Sequence, residues 1–228
     1  MGDRPQRPAP RRPTAWPDEG ELPQWVAREL ARVTPEDRIE QATSALTRAA
    51  VAFAETRLED ALAAAEEAKK LSSRDATTRE ILGLAAYRLR RWDIALRELR
   101  TYRRLSGDTT HMPVEMDVLR ALDRPDDVEQ VWVDLQRHGG DDDTLDEGRV
   151  VYGSFLLDRG EARRAWEVVT PGRLVDEPSE ARTRVWYVAA RAAHALGDRA
   201  AARKIYEALE ALDLAMPGLS ELDALTSV

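Results

Sequence analysis

Residues 80–100 read EILGLAAYRLRRWDIALRELR, and residues 46–66 read LTRAAVAFAETRLEDALAAAE. The pair Ala61-Leu62 of the earlier stretch returns as Ala95-Leu96 in the later one, 34 positions on and again just after a short polar break. On either side of each break the apolar residues recur at three- and four-residue spacing, the period of an amphipathic helix. Each stretch therefore reads as two helices joined by a tight turn. The same landmark continues at Val128 in DRPDDVEQVW, Ala165 in DRGEARRAW and Ala202 in LGDRAAARKIY, at steps of 33, 37 and 37. Five units result, and the segments DDDT and RLVDEPSE absorb the longer steps.

Such a hairpin buries one face and leaves a second apolar stripe open. In the second unit Leu82, Gly83 and Ala86 line one helix and Ala95, Leu96 and Leu99 the other, with Gly83 allowing close backbone approach. Stacking the next hairpin covers the open stripe, so stability comes from neighbour interfaces and needs at least about three units. Breaks at ETR, RDA, LRRW, SGD, LDRP, HGGDDD, DRGE and ALGD pace the whole chain. No stretch alternates with period two for long enough to read as a strand. The expected class is all-α.

Upstream of the repeats the character changes. Residues 1–21 hold Pro5, Pro8, Pro10, Pro13 and Pro17 with Arg4, Arg7, Arg11 and Arg12 among them, a composition that builds no packed core and predicts a disordered arm. Within it, RPAPRRP (residues 7–13) has an Arg-x-x-Pro-x-x-Pro spacing suited to polyproline-binding domains. Residues 22–41 are expected to form a helical cap, with Trp25, Val26, Leu30 and Val33 on one face and a fresh helix start in TPEDRIEQA, where Thr34 is placed to cap and Pro35 to open the helix. Residues 42–215 are the repeat region, and 216–228 a C-terminal capping segment.

The chain has 228 residues, a formal charge of −8, and 33% charged against 43% hydrophobic residues. It lacks cysteine, which removes disulfides and thiol chemistry and fits a reducing, cytoplasmic setting. No apolar run approaches the roughly 20 residues that span a bilayer, so no membrane insertion is expected. The negative balance argues against general nucleic-acid binding. Catalytic motifs are missing from the sequence: there is no phosphate-binding Gly-rich loop with Lys-Ser or Lys-Thr, no His-Glu-x-x-His and no Gly-x-Ser-x-Gly. The acidic run HGGDDDTLDEG lacks the glycine and glutamate of a calcium loop and reads instead as a helix entry, capped by Asp143 or Thr144, with Asp146 and Glu147 in the first turn. No cofactor or metal is expected. Trp92, Trp132, Trp166 and Trp186 read as core.

The second unit, at Leu82, Gly83 and Ala95, resembles the tetratricopeptide repeat family, and more narrowly its Arg- and Ala-rich actinobacterial members. The fifth unit matches at Trp186, Gly197-Asp198, Ala202 and Tyr206, and the fourth at Gly153, Gly160 and Ala165. The tyrosine position holds Ala52, Ala86, Leu156 or Ala193, the closing proline is missing, and the third unit keeps only Val128 and Leu135. The resemblance implies a right-handed α-solenoid of about five helix-turn-helix repeats whose first helices line a concave groove. It also implies a non-catalytic scaffold or adaptor that holds a peptide or partner protein.

Helical projection puts Glu80, Leu84, Tyr87 and Arg88 of the second unit on that groove, with Asp117 and Arg120 of the third and Ser154 and Asp158 of the fourth. Arg184, Tyr187, Arg191 and His194 of the fifth complete it. Arg184 and Arg191 stand two turns apart with Tyr187 between them, an arrangement suited to an acidic, carboxylate- or phosphate-bearing segment. Family members that clamp chaperone carboxyl termini use groove asparagines, and this sequence has no asparagine. Two alternatives stand beside the scaffold: a sensor of a small molecule or peptide, and a nucleic-acid-associated helper using the outer basic helix with Arg97, Arg100, Arg103 and Arg104.

Overall fold

The computed structural model describes residues 21–212 and 218–226; the Pro/Arg-rich arm lies outside them, as does the region's expected end at 215. Among the described residues the fold is all-α, without strands. The described residues divide into two compact units, one running up to His111 and the other starting at Met112.

The first unit contains α1 (Gln24–Val33), a short 3₁₀ turn (Glu36–Arg38), α2 (Ile39–Ala54), α3 (Leu58–Leu71), α4 (Ala76–Arg88) and α5 (Trp92–Ser106). The pairs α2–α3 and α4–α5 are antiparallel hairpins, and α4 also packs against α3 and α2. Alanine makes the first hairpin tight. Ala42, Ala45, Ala49, Ala61, Ala65 and Ala68 are fully buried, so the two backbones approach with little side-chain entropy lost. Thr34 does not cap the next helix. Its hydroxyl lies 2.5 Å from the Leu30 carbonyl oxygen and 2.7 Å from Ser72 Oγ, tying the end of α1 to the end of α3, and α2 starts only after the 3₁₀ turn.

The second unit contains α6 (Met112–Ala121), α7 (Pro125–His138), α8 (Asp142–Asp158), α9 (Ala162–Val169), α10 (Glu180–Ala195), α11 (Arg199–Glu210) and α12 (Leu219–Thr226). Three hairpins follow in order, α6–α7, α8–α9 and α10–α11, and α8 packs on both α6 and α10. Helix α12 lies on α10 and α11. The N-cap of α8 is Asp141, whose side chain accepts from the Thr144 amide at 2.8 Å; the expected caps Asp143 and Thr144 fall inside the helix.

All five hairpins turn the same way. The second turn residue is left-handed in each: Thr56, Arg90, Asp123, Gly160 and Gly197, with φ of 61, 57, 52, 75 and 78°. Behind it, the next amide always donates five residues back: Arg57 to Ala52, Arg91 to Ala86, Arg124 to Leu119, Glu161 to Leu156 and Asp198 to Ala193. This pattern satisfies the carbonyls at a helix end. The closest approach also recurs. A Cβ on Gly83 would stand 2.8 Å from Leu99, and one on Gly153 would stand 2.6 Å from Val169, in both cases the residue sixteen positions later.

Of the four tryptophans expected in the core, Trp132 and Trp186 are buried, whereas Trp92 and Trp166 are half-buried. Trp92 opens α5 and tilts against Tyr87, with ring centroids 5.9 Å apart.

Candidate functional site

The first helices of the second unit present one half-exposed face. On α6 it carries Asp117 and Arg120, on α8 Glu147, Ser154 and Asp158, and on α10 Arg184, Tyr187, Arg191 and His194, each reached by solvent. These positions recur at three or four residues along each helix, so the same periodicity that buries Met116, Leu119, Tyr152 and Leu156 turns them outward.

Two ion-pair bridges join the helices across this face. Arg120 donates to Asp117 on its own helix at 3.0 Å and to Asp158 on α8 at 2.7 Å. Arg184 donates to Glu180 on its own helix at 2.9 Å and to Glu147 on α8. In each case one guanidinium is forked between two carboxylates, a geometry that its planar donors favour. At the far end, the Arg191 guanidinium lies 6.0 Å from the Tyr187 ring centre, and a Cβ on Gly218 would meet the Tyr187 hydroxyl. His194 is half-buried, and its Nδ1 has no hydrogen-bond partner among the described residues.

An open depression of about 400 Å³ lies between α6 and α8, lined in part by Asp117, Arg120, Phe155 and Asp158. Its wall is stiffened from behind. The Trp132 and Tyr152 rings stack at 4.8 Å and 15°, and Phe155 continues the stack 5.9 Å beyond Tyr152. The Tyr152 hydroxyl donates to Glu129 and accepts from Arg164 at 2.8 Å. Burial, reinforced by the Glu129 carboxylate, pushes the Tyr152 pKa well above the usual phenol value, so the ring stays neutral. The next helix is anchored by a buried carboxylate: Asp146, 1% exposed, accepts from Arg149 and from Arg182 on α10, each at 2.6 Å. The helix-entry reading of Asp146 misses this role.

The chain matches no protein-family model and no curated protein sequence.

The structure brings together those expected groove residues that belong to the second unit. Those of the first unit form a separate set. Glu80 lies 2.8 Å from His111 Nε2, Tyr87 rests on Trp92, and Arg88 lies over the Phe53 ring at 5.6 Å. Glu147 was missed by the projection, although its place seven residues before Ser154 on the same helix marks it. The carboxylates on Arg184 are Glu147 and Glu180.

The outer basic helix of the first unit has its own arrangement. Glu98 on α5 is fully buried and accepts from Lys69 at 2.7 Å, Arg79 at 2.5 Å and Arg97 at 2.8 Å. Burial pushes its carboxyl up, but the three cationic donors outweigh burial and hold it below the usual range. Arg97 is thus turned to an internal partner. Among the described residues no helix is long and apolar enough to cross a membrane, and no cluster of three or more His, Asp or Glu could hold a metal.

Proposed function

We propose that the hairpins are tetratricopeptide-like repeats of a right-handed α-solenoid, and that the chain is a non-catalytic scaffold or adaptor binding a peptide or partner protein on the faces of its first helices. The observation that carries this reading is the bridged face of α6, α8 and α10, where Arg120 and Arg184 join successive first helices at the solvent-exposed side. A surface whose charged side chains are held in place by forked ion pairs presents fixed donors and acceptors, so little ordering entropy remains to be lost on binding. The recurring turn and the sixteen-residue close approach support the family reading through geometry, because each unit repeats the same solution to the same packing problem.

The test is retention of partners from cell extract at moderate salt by the full chain and by Ser154→Arg, placed mid-face on α8. Retention that is lost in Ser154→Arg and kept in Gln136→Arg, an exposed position on α7, supports the reading. Equal retention by both, or a small molecule that copurifies with the chain in place of a protein, contradicts it.

A further inference from the structure

Helix α12 is seated on α10 and α11. Gly218, left-handed at φ 85°, brings it up against α10, where a Cβ would meet the Tyr187 hydroxyl. Leu222, one turn on, is fully buried. Asp223 accepts at 3.2 Å from Arg203 on α11, whose guanidinium also donates to Glu207 of its own helix at 2.9 Å and lies 5.0 Å from the Tyr206 ring centre. The fork is the one made by Arg120 and Arg184: one carboxylate from the arginine's own helix and one from the element packed on it.

Because Tyr187 belongs to the exposed face of α10, α12 covers part of the surface that faces partners. Its chemistry suits that place. Residues 218–226 read GLSELDALT, with Glu221 and Asp223 and no basic residue, which is the acidic character expected opposite Arg184, Tyr187 and Arg191. The attachment is shallow: the side chains of Arg203 and Asp223 are 40% and 47% exposed, so solvent screens their attraction. It also leaves donors unused. Arg191, beside Tyr187, has no carboxylate partner among the described residues, and Nδ1 of His194, one turn further along α10, has no hydrogen-bond partner among them. A helix that makes the contacts of α12 and adds a carboxylate for Arg191 would hold this surface more tightly than α12 does.

We propose that the α10–α11 surface under α12 is a docking site for an acidic amphipathic helix of a partner protein, and that α12 is its tethered internal occupant, displaced when the partner binds. The inference rests on the adaptor reading and deepens it by giving the ligand a conformation and a charge. Tethering holds α12 at an effective concentration on the order of millimolar, so a free segment of equal affinity fills the site only when α12 is released.

Fluorescence anisotropy with the labelled peptide GLSELDALT at low salt tests it on the full-length chain, with α12 released by Leu222→Arg or, independently, by Asp223→Arg. Saturable binding to both released chains is expected, at least about tenfold tighter than to wild type. Arg191→Glu with Arg203→Glu in the Leu222→Arg chain should weaken it at least about tenfold, and a peptide carrying Leu222→Arg should not bind. No saturable binding to either released chain, equal binding to wild type, or binding indifferent to the two arginine changes overturns the inference. Release should also raise retention of an extract protein that excess GLSELDALT removes; if the peptide binds but retention does not rise, α12 is only a cap and the assignment of a partner to this surface is overturned. An extract protein lost in Ser154→Arg while the peptide fails leaves the adaptor reading standing and removes this site from it.

Discussion

Arg120 and Asp158, 38 residues apart in sequence, meet at 2.7 Å across the exposed face between α6 and α8. The pair fixes the geometry of the face more than it stabilises the fold. Asp158 is more than half exposed, and solvent screens its attraction, so Arg120→Ala should cost no more than about 1 kcal/mol in a chemical denaturation. The side chain can therefore be changed to probe binding without unfolding the unit. A loss of several kcal/mol would show that the bridge is structural.

Glu98 is the opposite case. Its carboxylate is fully buried among Lys69, Arg79 and Arg97, so Glu98→Gln leaves cations without a counter-charge, Arg79 being only 11% exposed. The cost should be on the order of 3 kcal/mol at neutral pH. The folded-state pKa is depressed, so this contribution is present above the ordinary glutamate value of about 4.3 and is lost as pH falls below it through the folded-state value. Denaturation of wild type and Glu98→Gln between pH 7 and pH 2 should show the gap closing at the acid end. A gap that is constant with pH would mean that the carboxyl is not ionised in the fold.

Close approach within the hairpins predicts an inverted alanine effect. In an open helix Gly→Ala gains up to about 1 kcal/mol. At Gly83 the added Cβ would stand 2.8 Å from Leu99 Cγ and 3.2 Å from its backbone nitrogen, so the change should instead cost about 1–3 kcal/mol. Ala95→Leu, fully buried on the same helix as Leu99, should cost a similar amount, and Ala63→Leu on the exposed side of α3 should be near neutral. Shortening the obstructing side chain in Gly83→Ala/Leu99→Val should recover part of the Gly83 loss, measured as a double-mutant coupling.

The turns predict a gain. Arg90 is held at φ 57° where a side chain is disfavoured and Gly160 and Gly197 serve in equivalent turns. Arg90→Gly should therefore raise the unfolding free energy by roughly 0.5–1 kcal/mol, while Gly160→Ala should lower it by about 1 kcal/mol, both read from chemical denaturation. Loss of stability in Arg90→Gly would mean that the Arg90 side chain contributes more than its backbone strain costs.

The helix boundaries and the five hairpins were readable because turn chemistry and apolar period agree: steps of 34, 33, 37 and 37 between Ala61 and Ala202 are also the steps between the left-handed turn residues Thr56, Arg90, Asp123, Gly160 and Gly197. The left-handed conformation itself was hidden at Thr56, Arg90 and Asp123, since without glycine nothing local announces it. Asp146 read only as a first-turn helix-entry charge and nothing singled out Glu98, because a helix pattern cannot show which cations arrive from a neighbouring helix. For the same reason the outward positions of Arg120, Asp158, Arg184 and Tyr187 followed from periodicity, but the engagement of both arginines by Asp117, Asp158, Glu147 and Glu180 did not. Thr34 was misread as a cap because Ser72, its partner 38 residues away, has no local signature.

The central claim is that partners are held on the face of α6, α8 and α10. The most direct measurement replaces Ser154, or in a second protein Gln136, by a photo-crosslinking residue in the full chain and illuminates it in cell extract. A defined protein adduct is expected from position 154, absent from position 136 and lost when Arg120 and Arg184 are both changed to Glu. Adducts of equal yield from both positions, or from position 136 alone, would contradict it.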